Sequence, residues 1–546
     1  MLEVREWTKA HPEVRVVYSG LHRLFDAIRA EQKELPVHRG ELNFTLRGCY
    51  SSVAKLKFAY RKAEALVNRA ERAVALTGVK QNLREAVDAV LFNSFHDILP
   101  GSSIERGFDD QLAQLGGALH QAQRAELAAL NALAQRVDTS VPRVTGDHPT
   151  AVPFLVWNPH PHEFTGHIEL EGNLDARPLW GYKGRPRDVP LEVRGPNGKP
   201  VAFQEVAHEH LFSPQDPWRK RVVVPVKVPA LGWSVYTLGW VEGAARPAVA
   251  PYHGDVRIVG DEIVLWDDIR LSAITVEDSL GSWGDFDDQQ RSLQTVRHRW
   301  QVSRVEQVEA GPERVTWWVK LLAGHSRLEL FVRQYRDRPA VDFDARVIWN
   351  DSAARLKLVF SNFGSTAEYE VPGGTVTRGE VGEVPGGRWV RGRYGVATDA
   401  LYNFNVHAGS LQATVCRGTK YAWAGSDDVL KEPWHPVVDV GELKFRFLVT
   451  RDLAALPRLA RELEMPPLIQ TVPAKSGKLP RTGTLAGSAN VAVLALGPGT
   501  IRVQNDTATR RTAKFGKLKL GTLQPGEIAT WRVTGNKARR VAVAET

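Results

Sequence analysis

The sequence predicts an α+β multidomain chain in which a short α/β segment and a three-helix bundle precede antiparallel β-sandwich domains. Three observations predict it: apolar residues at three-and-four spacing from Ser51 to Val137, period-two alternation in the strands that follow, and a length of 546 residues. That length exceeds one core, and about 150 residues per domain gives three or four domains. Hydrophobic residues at 43% and charged residues at 24% are ordinary for a globular chain and argue against a disordered or membrane class.

The first residues read as a strand over Val14 to Ser19, a helix over Leu21 to Glu31 and an approach to another strand near Leu35 to Phe44. A single βαβ-like unit cannot cover both faces of a parallel strand, so it reads as the end of a larger α/β domain. Val53, Leu56, Ala63, Leu66, Val67, Ala70 and Val74 then mark one long amphipathic helix. Leu83, Val87, Val90 and Leu91 mark a second, and Ile104, Phe108, Leu112, Leu115, Leu119, Leu130 and Leu133 a third, which together make a small bundle. Between the second and third helices, Pro100 and Gly101 break the chain, and Ser102 with Glu105 fits a capping box.

After the stretch Asp138 to Pro149 strands dominate: Arg221 to Val228, Arg314 to Leu322, Arg327 to Tyr335, Val341 to Trp349 and Leu443 to Thr450. Alternation in Val341, Phe343, Ala345, Val347, Trp349 and in Leu443, Phe445, Phe447 suits antiparallel sheets with one wet face, and so sandwiches. A loose connector over Glu242 to Pro251 separates a small sandwich from a large one, and Pro466-Pro467 opens a last β unit. The expected domains are 1–45, 46–143, 150–245, 252–465 and 466–546.

Lys and Arg number 71 against 62 Asp and Glu, a net charge of +9, yet the charges are scattered. A solvated surface accounts for them better than a polyanion site, so no nucleic-acid partner is expected. Cys49 and Cys416 form neither a disulfide framework nor a metal knuckle, which suits a reducing compartment. The charged N-terminus lacks a signal-peptide core and no apolar run is long enough to span a bilayer. A cytoplasmic chain with no membrane partner is the expectation.

His96 and Asp97, at the end of the second helix, are the first chemical candidates: an imidazole suits zinc, and a carboxylate ligates metal or accepts sugar hydroxyls. From the residues alone a helix-end histidine near free carbonyls accounts for His96 better than a ligand does, and a catalytic zinc needs about three protein ligands. His160-Pro-His162 and His208-Glu-His210 read as solvated loop or edge pairs rather than metal ligands. Asp285, Asp287 and Asp288 beside Trp283-Gly284 read as a loop between strands, since no EF-hand spacing is present. Arg388-Trp389 and Trp434 are stacking candidates in a chain where most tryptophans pack. No GxSxG elbow, P-loop, GxGxxG fingerprint or HExxH helix occurs, which removes the commonest hydrolase, nucleotide and metalloprotease readings.

The corner from Asn93 through His96-Asp97 to Gly101-Ser102 resembles the hallmark of the α-mannosidases of glycoside hydrolase family 38. Gly40-Glu41-Leu42 and Arg47-Gly48-Cys49-Tyr50-Ser51-Ser52 resemble the stretch leading into that family's three-helix domain. Val156-Trp157-Asn158-Pro159, Tyr394 to Ala397, Leu411 to Arg417 and Asp439 to Phe445 resemble its β region. The resemblance implies the end of a catalytic β/α barrel, a three-helix middle domain and β-sandwiches, the large one galactose-mutarotase-like. It further implies retaining hydrolysis of α-mannosides with a zinc ion gripping the sugar. In that family the zinc ligands are the His and Asp of a His-x-Asp motif, the nucleophile Asp, and the corner His, which matches His96 here. Asp97 matches the residue that contacts sugar hydroxyls, and Tyr50 falls near the site.

The His-x-Asp motif and the aspartates that the family carries far upstream of its corner have no counterpart here, so the expected catalytic set is none and His96 is the single expected metal ligand. Without a nucleophile the two-carboxylate geometry is lost, and the chain alone is expected to be inactive. The expected partners are α-mannoside glycans and a separately encoded barrel chain, with homo-oligomerisation left open. A non-catalytic carbohydrate-binding or assembly subunit is the competing reading, and a truncated frame without function a third.

Overall fold

The computed structural model describes residues 2–31, 36–38, 41, 46–141, 151–174, 190–208, 218–240, 250–284, 293–423, 435–497, 499–507 and 509–542. They divide into two compact units, Met1–Phe44 and Thr45–Thr546.

The first unit holds two helices, α1 (Leu2–Ala10) and α2 (Leu21–Glu31). The helix over Leu21 to Glu31 is where the sequence predicts it. The strand over Val14 to Ser19 is not: those residues are irregular, and Val14, Val16, Val17 and Tyr18 are exposed. A lone strand gains nothing without a neighbour to take its N–H and C=O groups, and none is supplied within the described residues of this unit. Most of the second expected strand, Leu35 to Phe44, lies outside the described residues, and the βαβ-like end of a barrel is therefore not formed by those that are described.

The second unit opens with α3 (Ala54–Thr77), α4 (Arg84–Asn93) and α5 (Glu105–Ala134). Val53, Leu56, Ala63, Leu66, Val67 and Ala70 of the first stripe meet Phe108, Leu115, Ala118 and Ala122 in one buried cluster, so the three-and-four spacing reports a true bundle core. The expected capping box fails. The residue before α5 is Ile104, with no side-chain cap, and Ser102 Oγ instead donates to the Asp97 carbonyl at 3.4 Å. Ser102 is buried against the corner, which takes its hydroxyl away from the helix end.

Two sheets form the small sandwich. Strands Leu468–Thr471, Val152–Trp157, Gly232–Trp240, Leu191–Arg194 and Pro200–Val201 pair in that order, with Thr482–Thr484 also on Gly232–Trp240. Phe164–Asn173, Arg219–Val228 and Gln204–Val206 make the facing sheet, and Phe154, Leu170, Val222, Val224 and Tyr236 fill the space between. Chain following Pro467 thus pairs first with Val152–Trp157, antiparallel, before building its own sheets.

The large sandwich pairs an eight-stranded and a nine-stranded sheet around Phe343, Trp349, Leu358, Phe360, Phe445 and Phe447. Ala340–Trp349 lies antiparallel to Gly441–Thr450 with Phe343 opposite Phe447, and the predicted alternation holds: Asp342, Asp344 and Arg346 point away from the buried set. Helix α6 (Leu456–Glu464) packs Leu456 and Leu459 on Trp389 and Leu448, and the strands Ala492–Gly497, Thr500–Gln504, Ile528–Thr534 and Lys537–Val541 form a further sheet. Among the described residues no helix is long and apolar enough to cross a membrane.

Candidate functional site

The expected corner and the turn before α3 meet at the start of that helix. Free N–H groups at a helix N-terminus need acceptors, and here the acceptor is remote. Asp439 takes the backbone N–H of Ala54 at 2.8 Å and of Lys55 at 3.0 Å, while its neighbour Val438 enters the bundle core. Burial pushes the Asp439 carboxyl up to about 6, against the pull of those two N–H groups and of Lys57.

One turn into the helix, Lys57 is buried and donates to the Ser52 carbonyl at 2.5 Å and the Leu99 carbonyl at 2.7 Å. Burial brings its ammonium down to about 7, with Cys49 and Asp439 opposing the shift. Lys57 therefore clips the turn that carries Tyr50 to the corner that carries His96. Gly101 closes the same joint. At φ +85 it is in the left-handed region, and a Cβ there would collide with the Ser52 carbonyl.

The turn itself, Arg47–Tyr50, rests on the large sandwich. Gly48 N donates to the Trp283 carbonyl at 3.1 Å, and Ser52 Oγ to the Ser282 carbonyl at 2.6 Å. Beneath lies Arg417, which reaches Ser52 Oγ at 3.1 Å and holds Asp278 through Nε at 2.9 Å and Nη2 at 2.8 Å. Tyr50 is half-buried in this turn.

At the corner Ile98 is buried in the bundle while His96 and Asp97 face outward, with side chains 77% and 58% exposed. His96 Nε2 lies 3.7 Å from Asp97 Oδ2, and the Phe95 ring sits 4.1 Å from the imidazole. Leu91, Phe92, Phe95 and Ile104, which flank the pair in sequence, are exposed as well. Leu91, placed by its spacing in the second apolar stripe, is thus outside the core.

A zinc ion fits this donor set only in part. Among the described residues no group of three His, Cys, Asp or Glu side chains is placed to hold a metal, and a catalytic zinc takes about three protein ligands. His96 and Asp97 supply two donors on an open surface.

The other candidates separate cleanly. His160 is not solvated as expected: it is fully buried in the turn after Val152–Trp157, its Nε2 on the Met465 carbonyl at 2.8 Å and its ring stacked 5.0 Å from His162. His208 is half-buried, and His210 lies outside the described residues. Trp283-Gly284 packs beneath the 47–52 turn, whereas Asp285, Asp287 and Asp288 lie outside the described residues. Trp389 is buried in the α6 contact with Arg391 over its ring, Arg388 pairs with Glu370, and Trp434 lies outside the described residues.

Sequence reasoning missed Lys57, Asp439 and Arg417. One signal was present: Lys57, Arg61, Arg69 and Arg72 recur at helical spacing along α3, a second stripe beside the apolar one. All four are buried. Arg61 donates to the Leu401 and Thr398 carbonyls, Arg69 to Glu126 and the Pro466 carbonyl, and Arg72 to the Pro159 and Val493 carbonyls. The bundle is thereby fastened to the small sandwich, the large sandwich and the last sheets.

Asp439 gives a prediction about pH. Its folded value of about 6 stands above the ordinary 3.8, so its stabilising contribution is complete below 3.8 and is lost as pH rises through about 6. Asp439→Asn keeps an acceptor at the helix end and removes the titration. Urea denaturation from pH 3.5 to 7 is expected to show a flatter stability curve for the variant; parallel curves would refute the assignment.

A family model described as alpha mannosidase middle domain matches residues 45–133, the segment that holds the turn, the corner and all three bundle helices. A solved protein in the glycosyl hydrolase family 38 from Enterococcus faecalis is similar in fold, with a TM-score of 0.76 at 17% identity over 96% of this chain and 75% of that one. An alpha-mannosidase from Enterococcus faecalis V583 gives 0.75 at 16% identity over 97% and 74%. The comparison with curated proteins yields no match. Residues 45–133 accordingly match the alpha mannosidase middle domain, within a chain whose fold is similar to that of the family 38 glycoside hydrolase structures it matches.

Proposed function

We propose that this chain serves the hydrolysis of α-mannosidic bonds, presenting His96 as one ligand of a zinc ion and Asp97, with Tyr50 nearby, to the sugar. The reading includes inactivity of the chain by itself, because the described residues provide no complete metal site and therefore no gripped substrate. The observation that supports it most is the outward-facing His96–Asp97 pair, held on a backbone that Lys57 and Gly101 fix from within. Bound zinc would supply Lewis-acid grip on sugar hydroxyls. The chain's own part is to orient: Asp97 accepts hydroxyl hydrogen bonds, and the joint with the 47–52 turn keeps His96 from drifting.

The test is an α-mannoside assay on the purified chain, alone and mixed with a polypeptide carrying a family 38 barrel, with and without zinc. The chain alone is expected to show no turnover, and the mixture a zinc-dependent rate. His96→Ala is expected to lower that rate by about 10²–10³-fold, the scale of losing one transition-state contact, with circular dichroism unchanged. Turnover by the chain unaided, or a mixture indifferent to His96→Ala, overturns the proposal. Mannoside affinity that survives His96→Ala without turnover in any mixture would support the carbohydrate-binding reading instead.

A further inference from the structure

A cleft of about 240 Å³ opens within the second unit, away from the corner, where α3, the His160 turn, α6 and the last sheets meet. Its chemistry is lopsided. Arg72, Arg461 and Arg511 line it against a single carboxylate, Asp506, and His160 and His162 complete the wall.

Each side chain is held in a way that leaves capacity over. Arg72 is buried with Nη1 on the Pro159 carbonyl at 2.9 Å and Nη2 on the Val493 carbonyl at 2.6 Å, while its Nε has no hydrogen-bond partner. Among the described residues no carboxylate lies within ion-pair reach of it. A buried guanidinium with no carboxylate in contact is costly, and burial with repulsion from Arg461 and Arg388 brings Arg72 down to about 10, against the more distant pull of Glu71 and Glu464. Arg461 pairs with Asp506 at 2.6 Å, which accounts for one cation, and Arg511 spends one N–H on the Asn490 carbonyl at 2.8 Å. His160, facing a carbonyl through Nε2, must be the Nε2–H tautomer, so its buried Nδ1 is a bare acceptor that no donor fills. His162 is turned to Glu462 at 2.9 Å.

Three guanidinium groups against one carboxylate match a compact oxyanion. The geometry points to a phosphate-binding site in this cleft, taking inorganic phosphate or a phosphate monoester, with Arg72, Arg461 and Arg511 as the cationic wall. Ligand there supplies the missing counter-charge and cross-links helix, small sandwich and last sheets, so binding raises the unfolding temperature. The site stands independently of the mannoside reading.

The test uses the full chain at constant ionic strength with chloride as the reference anion. Isothermal titration with inorganic phosphate and, separately, glycerol 3-phosphate is expected to give one site per chain and an upward thermal shift. Tighter binding of the ester identifies a monoester as the ligand class, and tighter binding of phosphate identifies the free ion. Arg511→Gln, at the half-exposed rim, is expected to weaken binding at least tenfold while leaving circular dichroism unchanged, and Arg461→Gln likewise. Absence of binding by both probes, or affinity untouched by both substitutions, overturns the site.

Discussion

Asp278→Ala is expected to cost about 3–5 kcal/mol, the scale of breaking a buried ion pair from one side. Asp278 lies between Arg355 and Arg417, and all three side chains are 0% exposed. Removing the carboxylate leaves Arg417 with only the neutral Ser52 hydroxyl and backbone carbonyls at 282 and 280, beneath the turn that carries Tyr50. Burial alone would raise the Asp278 carboxyl, yet Arg355 and Arg417 bring it to about 2. A folded value below the ordinary 3.8 means the stabilisation is present above 3.8 and is lost as pH falls through about 2. Urea denaturation of wild type between pH 5 and 2 should therefore show an acid-side loss that the variant lacks. A cost below about 1 kcal/mol at pH 7 would show that the arginines are solvated on unpairing, and the account of this floor would fail.

Gly101→Ala is expected to act on the joint. The left-handed backbone costs an alanine about 1–2 kcal/mol, and the collision with the Ser52 carbonyl adds about 1–3 kcal/mol of overpacking. Gly78→Ala separates the two contributions, because Gly78 is left-handed at φ +74 with nothing near its missing Cβ. The difference between the variants in denaturation midpoint reads the contact alone, and amide exchange at residues 96–101 should accelerate only in Gly101→Ala. Equal costs would mean that the corner does not bear on the 47–52 turn.

Much of this was legible beforehand, for definite reasons. The stripe from Val53 to Ala70 and the alternation from Val341 to Trp349 report burial on one side, and one-sided burial is what the structure shows. The strand at Val14 to Ser19 was misread because β-branched runs advertise a strand only when a partner edge exists, and the sequence does not name partners. Ser102 and Glu105 satisfied a capping pattern, but the packed corner claimed the hydroxyl first. At the candidate site the exposed pair His96–Asp97 was visible as a motif, whereas Asp439 and Arg417 lie far along the chain and announce nothing locally. Lys57, Arg61, Arg69 and Arg72 do not stand out among charges whose scatter suggests a solvated surface, because long basic side chains are mostly exposed.

That last stripe bears on how such an architecture tolerates change. Apart from Glu126 and Glu464, the hydrogen-bond acceptors those bases grasp are main-chain oxygens at Ser52, Leu99, Gly387, Thr398, Leu401, Pro466, Pro159 and Val493. A peptide oxygen is present whatever residue occupies the position, so loops gripped in this manner can exchange their side chains without slipping the grip. Shape can then outlast spelling, which is how a helix and its surrounding sheets can keep their arrangement at an identity of 16–17%.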